Sequence, residues 1–235
     1  MAALGHIALI LAFLAAVFSA IISIVSARRN SRLLIRVARG SVVSIALVHS
    51  LALAVAIFAL LTRDFSLRLV AEHVNRSLPA AYAVSALYAD KAGSLLLWGW
   101  FISVFSAYLA LRKEGYGERG LPYILGILAA IQSFFLALVT LVADVFAQNP
   151  APPQEGFGLN PLLQNTAMLV HPPALYISFA AIFVVFAIVM AALITDTPDS
   201  QWVSWVRRWA LFAWCMLGLG NLTGMWWSYN ELGWG

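Results

Sequence analysis

Residues 174–194 read ALYISFAAIFVVFAIVMAALI, 21 positions without a charge. A run of about 20 apolar residues crosses a hydrocarbon layer of ~30 Å, and a lone segment in lipid must satisfy its own backbone hydrogen bonds as a helix. The rest of the chain has the same character. It is 63% apolar and 10% charged over 235 residues, against roughly 45–50% and 25% in soluble domains. Lipid is therefore the main solvent. The net charge of +4 says where loops lie and points to no nucleic-acid partner. A single cysteine, Cys215, allows no disulfide framework and no cysteine-rich metal site; it reads as a small packing residue.

Working outward, the apolar runs predict six spans: Leu4–Val25, Gly40–Leu61, Gly93–Leu111, Leu121–Gln148, Ala174–Ile194 and Trp209–Tyr229. The first has no basic leader and no clear cleavage site, so it reads as a retained span rather than a signal peptide. The expected fold is all-α, a polytopic membrane bundle of about six transmembrane helices with both ends outside. The connections Ala27–Gly40, Arg112–Gly120 and Thr195–Arg208 hold 5, 3 and 2 of the basic residues, whereas Thr62–Ala92 holds 4 and the segment after the fourth span none. The positive-inside rule places the first set in the cytoplasm and Thr62–Ala92, the later loop and both ends outside.

That later loop, Gly156–Tyr176, reads GFGLNPLLQNTAMLVHPPALY. Asn160-Pro161 suits a helix start, with Asn as cap and Pro at the first position. Leu162, Leu163, Met168 and Leu169 could lie in the interface as a short helix, or the segment is a plain connector. His171 precedes two prolines, which disfavours the α region at His171 and suits the first turn of the next helix. The ring should sit at the lip of that helix. The positive helix end favours the neutral imidazole that a metal ligand needs, although a histidine that merely caps the helix has the same signature. Farther on, Trp226, Trp227, Tyr229 and Trp234 crowd nine residues, interleaved with Gly224, Gly233 and Gly235. One or two such rings are ordinary interfacial residues. Four suggest an aromatic shelf for a planar apolar ligand such as a porphyrin, with Glu231 beside it, either facing a ligand or solvated.

Other ionisable residues carry weaker signals. His49 lies mid-span and is either a neutral ring bonded to a carbonyl or a ligand. His6 reads as interfacial, His73 as solvated, and Asp144 as a carboxylate near the outer end of the fourth span. His49, Asp144 and Glu231 together motivate a proton-conducting transporter subunit as a competing reading.

Three motifs in order carry a resemblance. GLNPLLQNTAMLVHPPALY at Gly158–Tyr176, GSLLLW at Gly93–Trp98 and WWSYNELGWG at Trp226–Gly235 resemble the CcmF/NrfE-type cytochrome c haem lyase subunits, a WWD-containing haem-handling membrane family. The likeness extends through Trp209–Trp214 and Asp64–Ala89. A departure is Ala92, where the family usually has an acidic residue.

The resemblance implies a two-span region at 1–88 and, at 89–235, the start of a cytochrome c assembly domain that stops at its tryptophan-rich segment. It implies residence in a bacterial-type inner membrane with the haem-handling face periplasmic. There haem b would be taken from a CcmE-type chaperone and presented, with a CcmH-type partner, for thioether attachment to apocytochrome c. By motif match, His171 would be an axial ligand to the haem iron, and Gly233, Trp234 and Gly235 would open the segment that cradles the haem, with Trp226 and Trp227 beside it. The family's further histidines match none of His6, His49 and His73. The chain therefore reads as the N-terminal portion, inactive alone as a lyase. A haem-binding or haem-transporting scaffold without lyase activity is the nearest alternative.

Overall fold

The computed structural model describes residues 1–112, 117–196 and 201–234. Among these residues the α-helices are, in order, α1 (Ala2–Arg29), α2 (Arg32–Thr62), α3 (Arg68–His73), α4 (Ala80–Ser85), α5 (Lys91–Leu111), α6 (Gly117–Ala137), α7 (His171–Thr195) and α8 (Gln201–Leu232). Among the described residues there is no strand, only one antiparallel bridge between Leu67 and Gln148. Among the described residues five segments are long and apolar enough to cross a membrane: α1, α2, α5, Arg119–Val142 and Thr166–Thr195. The expected sixth, α8, is 32 residues long, but tryptophan, glycine and asparagine dilute its hydropathy.

Several boundaries differ from the expected spans; α8, for one, begins at Gln201 rather than Trp209. Ala27–Gly40 is not a charged loop. Helix α1 runs through Arg29, Asn30 closes it in the left-handed region, and α2 begins at Arg32 behind the Ser31 cap. Arginine is a good helix former whose long stem carries its charge away from lipid, so charge marks the membrane edge without ending the helix. The fourth span stops early. A π turn at Leu138–Val142 loosens it, and the Asp144 carboxylate then accepts the Phe146 amide at 3.0 Å. Thr62–Ala92, expected as a polar connection, is folded. Leu67, Val70, Val74 and Leu87 in it are buried.

Helices α1, α2, α5 and α6 pack around a common core, α7 lies in the groove between α5 and α6, and α8 leans chiefly on α7. The contact faces are built from small residues. On α1 they are Gly5, Ala8, Ala12, Ala16, Ser19 and Ser23. Small side chains let helix backbones approach closely in lipid, where apolarity alone gives no reason to associate. Polar cross-links add direction: Trp100 donates to Ser50 Oγ at 2.8 Å between α5 and α2, and Ser178 Oγ donates to the Ala213 carbonyl at 2.8 Å between α7 and α8. Cys215 does not pack inside; it is exposed on α8.

One end of the bundle carries a folded cap made of residues 63–90 and 143–170. The Arg68 and Asn149 amides donate to the carbonyls of Ala147 and Ser66, both at 2.8 Å, and the Phe157 amide donates to the Ala71 carbonyl at 2.9 Å. Gly156 lies so close to the Val74 and Ala71 carbonyls that no Cβ fits there. The opposite end carries the basic ends of α1, α2, α5 and α8.

Candidate functional site

The loop before α7 forms two 3-10 turns, Pro161–Leu163 and Thr166–Leu169, rather than one interfacial helix. Asn160 caps the first, accepting the Leu162 amide at 3.0 Å, as its sequence suggests. Asn165 caps the second, accepting the Ala167 amide at 2.9 Å. Helix α7 then begins at His171 itself, with Pro172 and Pro173 in the first turn. Amides there lack intrahelical partners, so proline costs nothing.

The His171 ring does not simply close its own helix. Its Nδ1 lies 2.7 Å from the Gly220 carbonyl of α8. A carbonyl only accepts, so Nδ1 carries the proton and Nε2 keeps its lone pair. Nε2 makes no hydrogen bond among the described residues. Glycines on α8 make this approach possible. A Cβ on Gly224 would fall 2.6 Å from His171 Cε1, and one on Gly220 would fall 2.6 Å from Leu175 Cδ2. The i, i+4 pair His171 and Leu175 on α7 thus nests against the i, i+4 pair Gly220 and Gly224 on α8.

The same face of α8 continues to Trp227 and Glu231, and both hold the loop. Trp227 Nε1 donates to the Leu162 carbonyl at 2.7 Å, and Asn165 Nδ2 donates to Glu231 at 2.7 Å. Trp226 stands on the outer side of the helix, 51% exposed. Because α8 runs to Leu232, adjacent rings fan around it and residues 226–232 make no flat shelf. Gly233 ends the helix at φ 78°, its amide donating to the Tyr229 carbonyl. Trp234 follows, 71% exposed, its carbonyl held by Ser228 Oγ at 2.7 Å. Gly235 lies outside the described residues. His171 thus meets Gly224, and Trp227 meets the loop at Leu162; Trp226 and Trp234 remain open.

The structure sorts the other ionisable residues. His49 is wholly buried, donating through Nε2 to the Leu96 carbonyl at 3.1 Å and accepting from Gln132 Nε2 at 3.0 Å. It is the carbonyl-bonded ring of the two sequence alternatives. His73 is turned back on its own helix, Nδ1 3.1 Å from the Leu69 carbonyl. His6 and Asp144, read separately in the sequence, meet at 2.7 Å and join α1 to the end of the fourth span. A separation of 138 positions gave no local signal for that pair. Asp90 is a residue the sequence reading passed over: it caps α5, accepting the Ala92 amide at 2.7 Å. An acid two positions before Ala92 therefore occupies the helix start. Burial pushes the Tyr88 phenol up to about 12, outweighing the Ser85 hydrogen bond, with Tyr176 adding to the rise; it stays neutral in the cap. No group of three or more His, Cys, Asp or Glu able to hold a metal ion occurs among the described residues. A donor set of one anchored imidazole fits a metal whose other ligands are supplied by a macrocycle.

A bundle of long apolar helices under a polar cap defines an integral membrane protein of the all-helical class. Residues 88–235 match the family described as Cytochrome C assembly protein, and the chain belongs to that family. It is 35% identical over 235 residues to the cytochrome c-type biogenesis protein CcmF of Haemophilus influenzae, covering 100% of this chain and 36% of that protein. It is 36% identical over 233 residues to CcmF of Pseudomonas aeruginosa, covering 99% and 36%. Among solved structures, one titled Cytochrome c Heme Lyase CcmF superposes with a TM-score of 0.82 at 28% identity, over 97% of this chain and 36% of that one. The chain thus spans about a third of the length of these relatives.

Proposed function

We propose that this chain forms the haem-presenting N-terminal part of a cytochrome c haem lyase subunit, with His171 as an axial ligand to the iron of its haem substrate. The observation that carries the reading is the His171–Gly220 contact. A ring whose Nδ1–H is bound to a backbone carbonyl is fixed in tautomer and direction, which is how protein structures commonly prepare a histidine for a metal. Gly224 leaves the space the ring needs. The exposed rings of Trp226 and Trp234 offer apolar surface to a porphyrin approaching from outside.

In this reading α8 is a sixth span, both ends of the chain lie outside, and the cap faces the periplasm across a bacterial inner membrane. Haem b arrives from a CcmE-type chaperone. A CcmH-type partner and apocytochrome c meet it there, and the cytochrome's two thiol S–H groups add across the haem vinyl double bonds. The residues of this chain hold and orient the haem. The family resemblance supports these partners.

The test places His171→Ala in the complete protein. Haem absorption spectra should show loss of the external haem and the yield of mature cytochrome c should fall at least about tenfold. Unchanged occupancy and yield would remove His171 from the site.

A further inference from the structure

At the end of the bundle opposite His171, α5 and α8 face each other across a gap. Their backbones scarcely touch, because α8 leans on α7. Aromatic side chains bridge the gap instead: Phe105 meets Trp209 at 5.1 Å and Phe212 at 6.0 Å, and Tyr108 meets Trp209 at 6.1 Å, all edge-on. Above this floor runs a groove of about 530 Å³, within the usual range for small-ligand sites.

The groove is graded along the helix axes. Its rim at the end of the bundle is cationic. The Arg112 guanidinium lies 4.5 Å over the Trp205 ring and that of Arg208 lies 5.0 Å over the same ring. Arg112 also donates to the Tyr108 hydroxyl at 3.0 Å. Neither guanidinium is paired with a carboxylate among the described residues. Seven residues deeper on α5, about 10 Å along a helix, the lining has become Phe105, with Phe212 facing it. Two like charges held over one indole repel each other, and an anion between or beside them relieves that. Surface arginines that only mark the membrane edge need no concave apolar floor beneath them.

We propose that the α5–α8 groove binds an anionic phospholipid, its phosphate held by Arg112 and Arg208 and an acyl chain laid along Tyr108, Trp209 and Phe105. Basic pockets between helices at a membrane edge recognise such headgroups by charge, arginine pairs phosphate oxygens in a planar fork, and the aromatic wall matches the chain. A neutral lipid leaves the guanidiniums unmatched, and a free phosphate leaves the apolar floor unused. The site lies at the other end of the bundle from His171 and does not depend on haem.

The purified chain, in detergent, is titrated with brominated-chain phosphatidylglycerol and, separately, brominated-chain phosphatidylcholine, with tryptophan quenching as the readout. The wild type should prefer the anionic lipid, and Arg112→Gln/Arg208→Gln should lose more than about tenfold in apparent affinity for it. Arg28→Gln/Arg29→Gln removes the same charge from α1 at the same end and should keep the preference. An equal loss in that control reduces the effect to a general basic belt and overturns the proposal. So does an unchanged preference in the groove variant, or competition by inorganic phosphate at the lipid's concentration. Should the glutamine pair fail to fold, the difference in quenching between wild type and Trp205→Phe decides. It must be larger with the phosphatidylglycerol probe; equal quenching by both lipids refutes the site.

Discussion

His171 Nδ1 on α7 and the carbonyl oxygen of Gly220 on α8 stand 2.7 Å apart, across 49 positions of sequence. Helix carbonyls normally accept from their own helix, so this one serves two donors, and one of them is the ring that faces the cap. Thr223 Oγ1 lies 3.0 Å from the same oxygen, but its single proton has a nearer acceptor in the Leu219 carbonyl at 2.8 Å. The contact fixes the tautomer, and its geometry rests on the missing Cβ of Gly224.

Gly224→Ala tests that dependence without touching the histidine. Alanine is the better helix former by about 1 kcal/mol, so helix content should not fall. The added methyl group must push the ring away. In the complete protein, haem occupancy at the external site should drop by about ten- to a hundredfold, the usual cost of losing a ligand's supporting contact. Circular dichroism together with haem spectra checks both halves. Normal haem binding in a folded Gly224→Ala protein would mean that the ring needs no such seat.

His49 and Gln132 form a buried node between α2 and α6, and Gln132 Oε1 has no partner among the described residues. Gln132 lines a cavity of about 10 Å³ together with Ser103 and Ser106. His49→Leu leaves the amide wholly unsatisfied and should cost about 1–3 kcal/mol. Gln132→Leu removes a group already half-satisfied and should cost less. The double variant should be more stable than the sum of the singles predicts by about 1 kcal/mol. Thermal or denaturant unfolding in detergent measures this cycle. Strict additivity would show that the two side chains do not act together.

Gly156 holds the later loop against the earlier one, with the Val74 and Ala71 carbonyls filling the place of a side chain. Gly156→Val should detach residues 150–158 from α3 and cost at least ~2 kcal/mol, the scale of a backbone clash in a packed region. Limited proteolysis should then cut near Pro150–Pro153 while α1 and α2 stay protected. Equal resistance to the protease in variant and wild type contradicts the packing described.

The topology is open to direct labelling. In a Cys215→Ser background, Thr166→Cys on the cap should react with an impermeant thiol reagent added to intact cells. Asn30→Cys, at the turn between α1 and α2, should react only after the membrane is opened. Both positions are exposed. The reverse pattern would put the cap in the cytoplasm and remove the periplasmic placement of the haem chemistry.

Much of this was legible in one dimension because the signals are local. The apolar runs give five of the six expected spans, since length and hydropathy alone decide what can cross lipid. The Asn160 cap and the prolines at the start of α7 follow from backbone chemistry that involves no distant partner. Charge was misleading at Ala27–Gly40 and Thr62–Ala92. An arginine at the membrane edge can belong to a helix, and a polar connection can fold when a second one packs on it.

The sequence by itself determined that the protein lives in a membrane, where the apolar middles of five long helices run, and that His171 stands at the lip of one of them. The tertiary structure decided which face of each helix meets another. In lipid, inward and outward faces are both apolar, so only small residues such as those of α1 and the glycines of α8 distinguish them. It alone joined His6 to Asp144, set Trp227 inward and Trp226 outward, and gave the His171 ring a carbonyl from another helix. Such contacts form between residues far apart in the chain, and nothing local encodes which partner each one meets.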